Sequence, residues 1–354
     1  MSKFIPIILA SGLISFLATP LFRRLAFSID FVDNPKARKM HLTPMPLLGG
    51  AAMYVGIMGA ALLSGLSSYN ELAGVLGGAT VVTLLGLWDD RAELPPHIKL
   101  GGQVLGAALL ILSGIQVKLF GSQALNIALT IFWVLGISNA INFLDNMDGL
   151  AAGTAMIASG FFFILALMEG LGLVATLAAA LLGACIGFLY YNFNPATLFM
   201  GDAGSLLLGF ILAVLGIKLE FVFQPRTITW MIPIIVLGVP IFDTTLIVLS
   251  RLRRRRPIWQ GGKDHTSHRL VARLGMTQAR AVMTLYLASG ALGLIALTLR
   301  DATLTQSRWV LVGLSLAFVA ALVWLDWGFT LPPPAESPAG DQLTEHTQPP
   351  PSAG

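Results

Sequence analysis

Eleven apolar runs, most of them close to the length of a bilayer crossing, leave this chain little choice but a bundle of membrane helices. They fall at roughly 4–22, 47–66, 71–88, 100–115, 123–141, 150–168, 171–190, 204–219, 229–249, 281–299 and 308–326. Only 11% of the 354 residues are charged and 55% are hydrophobic, whereas a soluble domain carries about a quarter charged residues. The expected fold is therefore an all-α, polytopic integral membrane protein of ten to eleven transmembrane helices. The formal charge of +4 offers no surface for nucleic acid. The single cysteine, Cys185, sits in an apolar run and excludes an intrachain disulfide and thiolate metal chemistry.

Basic residues set the expected orientation. Lys3 precedes the first run while Arg23 and Arg24 follow it, the reverse of a cleavable signal peptide, so the run is read as a retained anchor with its N-terminus outside. With that start, the inside connections hold Arg23, Arg24, Lys36, Arg38, Lys39, Arg91, Lys99, Arg251, Arg253 to Arg256, Lys263, Arg269, Arg273 and Arg280. These are sixteen of the 22 lysines and arginines, as the positive-inside rule asks. Residues 1–330 form the expected transmembrane catalytic domain. Residues 331–354, with two triple prolines among small polar residues, form an expected disordered tail.

The same count brings the chain's few acidic and amide groups to the cytoplasmic side. Asn142, Asp145 and Asp148 recur every third residue between two runs, a polar stripe on a helical extension. Asp89 and Asp90 close the third run, and Gly201-Asp202-Ala203-Gly204-Ser205 opens the eighth with glycines flanking one acid. Asn192 lies just before Asn194 and Pro195 in another inside connection. Acids held close together repel unless a cation neutralises them, and Mg²⁺ prefers one or two carboxylates plus substrate phosphates. An EF-hand is excluded, because the twelfth position from Asp145 is Met156. The longest inside loop carries Arg253 to Arg256, read as a contact with anionic lipid, and then Lys263, His265, His268 and Arg269, suited to a diphosphate. Asp243 lies inside the ninth run, where substrate contact and an interhelical hydrogen bond are both open. Residues 33–50 form a basic, proline-punctuated hairpin, either a simple loop or a gate.

Taken together and in this order, the aspartate pair, Asn-x-x-Asp-x-x-Asp-Gly and Gly-Asp-x-Gly-Ser resemble the polyprenyl-phosphate N-acetylhexosamine-1-phosphate transferases. That family includes the phospho-N-acetylmuramoyl-pentapeptide transferases. The similarity runs from about Val32 to Arg273. It implies transfer of a sugar-1-phosphate from a UDP-N-acetylhexosamine onto polyprenyl phosphate in a bacterial plasma membrane, releasing UMP, with Mg²⁺ (or Mn²⁺) as cofactor. It also implies site roles. Asp89 matches the acid that activates the lipid phosphate, with Asp90 its companion, and Asp202 matches the metal ligand. Asp145, Asp148 and His268 fall with the catalytic group. Asn142, Lys99, Asn192, Lys263, His265 and Arg269 fall with the substrate-binding group. A second copy of the chain is a candidate partner. Many members read His-x-His-His in the last loop, whereas here Ser267 stands where a histidine is frequent. The absence of three consecutive histidines, with His265 and the eleven runs, favours the N-acetylhexosamine branch, with GlcNAc-1-phosphate the group expected to be transferred, over the muramoyl-pentapeptide branch.

Two rivals are weighed against this. A secondary transporter places acids near mid-membrane, where only Asp243 lies. A CDP-alcohol phosphotransferase needs Asp-Gly-x-x-Ala-Arg, and Gly153 stands in place of the arginine.

Overall fold

The computed structural model describes residues 2–33, 44–65, 69–221, 226–258 and 262–329. Most of the basic hairpin (34–43) and the tail 331–354 lie outside the described residues. A 3₁₀ turn, Ser2–Phe4, leads into α1 (Ile5–Ser28), followed by strands β1 (Val32–Asp33) and β2 (Met45–Pro46). Then come α2 (Gly49–Leu63), α3 (Tyr69–Ala92), α4 (Pro96–Leu112), α5 (Gln123–Leu144), α6 (Leu150–Met168), α7 (Gly172–Asn192) and α8 (Gly201–Lys218). The remainder is α9 (Arg226–Thr229), α10 (Met231–Val236), α11 (Gly238–Arg253), α12 (Thr266–Leu274), α13 (Gln278–Leu299) and α14 (Leu304–Asp326).

Eight helices are long and apolar enough to cross a membrane: α1, α3, α5, α6, α7, α8, α13 and α14. The other three runs depart from the eleven expected crossings. α2 and α4 are apolar but shorter, at 15 and 17 residues. The run at 229–249 is not one helix: it is divided between α10 and α11 at Leu237, with Pro233 and Pro240, which lack an N–H to donate, on either side.

α7 and α8 form the centre. α7 is wrapped by α1, α6 and α2, and α8 by α3, α5 and α2. Small residues let these backbones meet, since lipid supplies no hydrophobic drive between helices and close packing must do the work. Close approaches of this kind surround the first turn of α8. A Cβ on Gly86 of α3 would lie 2.4 Å from Ala203 Cα, and one on Gly50 of α2 would lie 2.2 Å from Gly204 N. β1 and β2 pair antiparallel, Val32 opposite Pro46, and Phe199 N–H donates to Pro46 O at 2.9 Å. The strand pair thus leans on the segment that feeds α8.

Arg23 near the end of α1 reaches Thr197 O at 3.2 Å, and Arg91 in the last turn of α3 reaches Asp30 O at 2.7 Å, so both belong to the end where α8 starts. At the other end of the bundle, Lys218 pairs with Glu71 at 3.0 Å and Arg300 with Glu169 at 2.5 Å. Gly86→Ala forces α3 away from the start of α8 and is expected to cost about 1–3 kcal/mol, the usual penalty for overpacking. Thermal unfolding in detergent checks this; an unchanged midpoint would show that the two helices have slack there.

Candidate active site

The site begins with the backbone of α8. Gly201 takes φ +67°, and a Cβ there would sit 2.4 Å from Asp90 Oδ2. Glycine is therefore required for both conformation and space. The Asp90 carboxylate crosses from α3 to accept Asp202 N–H at 2.7 Å and Ala203 N–H at 3.2 Å. It caps α8 from a neighbouring helix, satisfying donors that a helix start leaves unpaired.

That cap presents the Asp202 side chain. Its Oδ1 accepts from Asn142 Nδ2 at 2.7 Å, and its Oδ2 from Lys99 Nζ at 3.1 Å. Asn142 also donates to Ser205 Oγ at 2.9 Å. Lys99 bridges to Asp89, whose other oxygen accepts Leu94 N–H at 2.7 Å. Asp89 is only 3% exposed, so it works through Lys99. Residues from α3, α4, α5 and α8, far apart in sequence, are thus in direct contact.

Asp145 follows the last turn of α5, half-buried, and among the described residues its carboxylate has no hydrogen-bond partner. Burial, then the charges of Asp202 and Asp148, push its pKa up to about 7. Asp148 is used differently: its Oδ2 accepts Asn194 Nδ2 at 3.2 Å and Ala196 N–H at 2.9 Å. Gly149, at φ +75°, is gripped on both sides. Its N–H donates to Asn192 Oδ1 at 3.1 Å, and its carbonyl accepts the Tyr286 hydroxyl at 2.5 Å. Asn192 is buried and its Nδ2 donates to Leu198 O at 3.0 Å, so both ends of its amide hold loops together. Tyr286 is a site residue that sequence reasoning passed over, because it lies in an apolar run. In the structure its hydroxyl fills the space beside Gly153, where a Cβ would overlap it.

A short arm, residues 262–274, completes the site. Asp243 is fully buried and anchors it: His265 Nδ1 lies 2.9 Å from Oδ2, and Thr266 N–H donates to Oδ1 at 2.6 Å. Asp264 receives the Arg251 fork at 2.7 and 2.8 Å. Burial opposes its ionisation, but the guanidinium holds its carboxyl below the usual range. His268 is half-buried and, among the described residues, its Nδ1 has no hydrogen-bond partner. Burial, then neighbouring His265, lowers its pKa to about 4, so the ring is neutral at pH 7. Lys263 is exposed, but Arg269 is not. Its guanidinium is fully buried and spent on Asp264 O at 2.7 Å, Ser250 Oγ at 2.9 Å and Asp326 at 2.9 Å. Of the cationic groups that the sequence suggested for a diphosphate, the structure leaves Lys263 free of these internal contacts. Ser267 Oγ donates to Asn146 Oδ1 at 2.5 Å, clasping the arm to the loop that carries Asp145 and Asp148.

Among the described residues, no three of His, Cys, Asp and Glu are arranged to hold a metal ion unaided. Asp202 with the unpaired Asp145 nearby suits an ion that shares its coordination with substrate phosphates, the habit of Mg²⁺.

The all-α membrane bundle thus gathers carboxylates, an amide and a lysine where its helix ends converge, and comparison with known proteins places that arrangement in a class of membrane glycosyl transferases. A family model described as glycosyl transferase family 4 matches residues 72–220. A probable undecaprenyl-phosphate N-acetylglucosaminyl 1-phosphate transferase of Bacillus subtilis (strain 168) is 35% identical over 321 residues, covering 88% of this chain and 89% of that protein. A decaprenyl-phosphate N-acetylglucosaminephosphotransferase of Mycobacterium leprae is 33% identical, covering 79% of each. A phospho-N-acetylmuramoyl-pentapeptide-transferase of Desulforudis audaxviator is 33% identical, covering 58% of this chain and 74% of its own. The chain belongs to glycosyl transferase family 4, in the polyprenyl-phosphate N-acetylhexosamine-1-phosphate transferase group.

Ser267→Ala removes the clasp donor and leaves Asn146 unpaired. Turnover is expected to fall about threefold to tenfold, the net worth of one hydrogen bond, while Ser267→Thr keeps the hydroxyl and most of the rate. Equal rates for alanine and threonine would mean that the clasp does not matter.

Proposed function

We propose that the protein transfers N-acetylglucosamine 1-phosphate from UDP-N-acetylglucosamine to a polyprenyl phosphate, releasing UMP. The site lies on the cytoplasmic face of a bacterial plasma membrane, and the reaction begins a cell-envelope polysaccharide. The observation that carries this reading is the Asp202 carboxylate, held between Lys99 and Asn142 at the capped start of α8. The cytoplasmic placement follows from the excess of lysine and arginine at that end. The donor sugar is supported by the N-acetylglucosamine 1-phosphate transferases that match 88% and 79% of this chain at 35% and 33% identity; a pentapeptide transferase of similar coverage, 78%, is 29% identical.

In the reaction, an oxygen of the lipid phosphate attacks the sugar-bearing phosphorus of the donor. The bond to the bridging oxygen breaks, and that oxygen leaves on UMP with the electron pair. A phosphate monoester is already largely ionised near pH 7, so no strong base is demanded. This agrees with the engagement of Asp89, which is buried against Lys99 and suited to orienting an ammonium instead of removing a proton. Asp202 and Asp145 would hold Mg²⁺ (or Mn²⁺) together with the donor phosphates. The ion, when bound, offsets negative charge that builds on the diphosphate. Lys99 and Lys263 supply protein cations. Neutral His268 serves as a hydrogen-bonding partner, and Asn142 holds Asp202 in one rotamer. Catalysis by positioning and charge compensation is the common pattern for phosphoryl transfer.

Purified protein given polyprenyl phosphate, Mg²⁺ and a panel of UDP-sugars is expected to release UMP with UDP-N-acetylglucosamine. Release with UDP-N-acetylmuramoyl-pentapeptide alone would reassign the branch. Asp202→Asn is expected to reduce the rate by at least about a hundredfold, the scale of losing one charge-stabilising group; wild-type turnover would remove Asp202 from the metal site.

Asp145 also gives the ion a pH dependence. Below about pH 7 its carboxyl is protonated and a cation must displace the proton; above it the carboxylate is free. The Mg²⁺ concentration for half-maximal rate is therefore expected to rise as pH falls from 8 to 6, and Asp145→Asn is expected to flatten that rise. A dependence equally steep in the variant would exclude Asp145.

A further inference from the structure

α14 contributes little to the packing of the bundle: only 6% of its apolar stretch is buried. Its last residues behave differently. The Asp326 carboxylate accepts Ser250 Oγ at 2.8 Å and Arg269 Nη1 at 2.9 Å, and it pairs with Arg253 at 2.7 Å and Arg254 at 3.3 Å. The carbonyls around it are taken as well. Leu325 O accepts from Arg269 at 3.2 Å, Trp327 O from Arg273 at 2.8 Å and Phe329 O from Arg254 at 2.6 Å, with Trp324 O also facing Arg273. The Arg269 guanidinium lies 4.6 Å from the Phe329 ring centre. A helix C-terminus is where unpaired carbonyls and the helix dipole favour cations. The arginines between α11 and α13 that the sequence directs to lipid or a diphosphate are largely spent on this helix end, leaving Arg255 and Arg256 exposed.

Arg269 is the link inward. It belongs to α12, two residues beyond Ser267 and one beyond His268, and is fully buried. A buried guanidinium that loses its carboxylate is strongly disfavoured. The stem of the arm is held by Asp243 and by Arg251 with Asp264; the helix of the arm is held from behind by α14.

We propose that Asp326 is a positioning residue for the transferase: through Arg269 it fixes α12 against the Asp145–Asp148 loop, and α14 is the strut that delivers it. The inference rests on the reading of the arm as part of the substrate site. It assigns a positioning purpose to a helix that is otherwise peripheral to the bundle.

The test uses the full-length protein in detergent with the isosteric variant Asp326→Asn, which keeps the shape and one acceptor oxygen. Limited trypsin digestion reads release of the arm as cleavage after Arg269, a bond shielded in the wild type. UMP release reads catalysis, and the unfolding midpoint reads the bundle. Cleavage after Arg269 is expected to quicken at least about tenfold, and kcat to fall on the order of tenfold to a hundredfold, the scale of a misplacement of about 1 Å. The midpoint is expected to hold. Adding His268→Ala to Asp326→Asn is expected to give a rate no lower than His268→Ala alone, because both act through the arm.

Wild-type cleavage with wild-type kcat, or lost activity with the arm still shielded, would overturn the proposal. So would a double variant whose losses multiply, or a midpoint that collapses with cleavage throughout the chain. Absence of UMP release from the wild type would instead overturn the assigned reaction, and the cleavage comparison would still decide the tether.

Discussion

The structure depends on a carboxylate from one helix closing the start of another. Asp90, at the end of α3, accepts the first two N–H groups of α8 after Gly201. A side-chain cap stabilises a helix start by about 0.5–2 kcal/mol, and a negative charge there adds to it through the helix dipole. The larger consequence is positional. Because the cap seizes the backbone of Asp202 itself, it fixes the point from which that residue's carboxylate reaches α4 and α5. Lys99 and Asn142 are the groups it meets there.

Around this point six of the site's acids divide into separate tasks. Asp90 builds a helix start, Asp148 clamps the 194–196 connection, Asp243 anchors the arm, and Asp89 is buried against Lys99. Asp202 and Asp145 remain with the capacity to take an external cation. Like charges brought this close are tolerable because most are compensated by N–H groups, an amide or an ammonium. The one that is not, Asp145, is the one whose pKa climbs to about 7.

Much of this was legible in the sequence, and for physical reasons. Apolar runs announce membrane helices because the bilayer permits little else, and the order of the acidic motifs announced that Asp89, Asp90, Lys99, Asn142 and Asp202 would meet. Three things were not legible. The ninth run reads as one crossing by hydropathy, although it is divided at Leu237, between Pro233 and Pro240. Arg269 resembles a ligand for phosphate until its partner Asp326 is found 57 residues away. Tyr286 is indistinguishable from its apolar neighbours until its hydroxyl is seen on Gly149. Residue type predicts what a group can do; only long-range packing says whether that capacity is already used.

The most direct test of the central claim is a kinetic double-mutant cycle between Asp90 and Asp202, read as kcat/KM for UMP release. If Asp90 acts by presenting Asp202, the Asp90→Asn, Asp202→Asn double variant is no slower than Asp202→Asn alone. Losses that simply multiply would show that the two aspartates serve the reaction independently, and the helix cap would no longer explain the site.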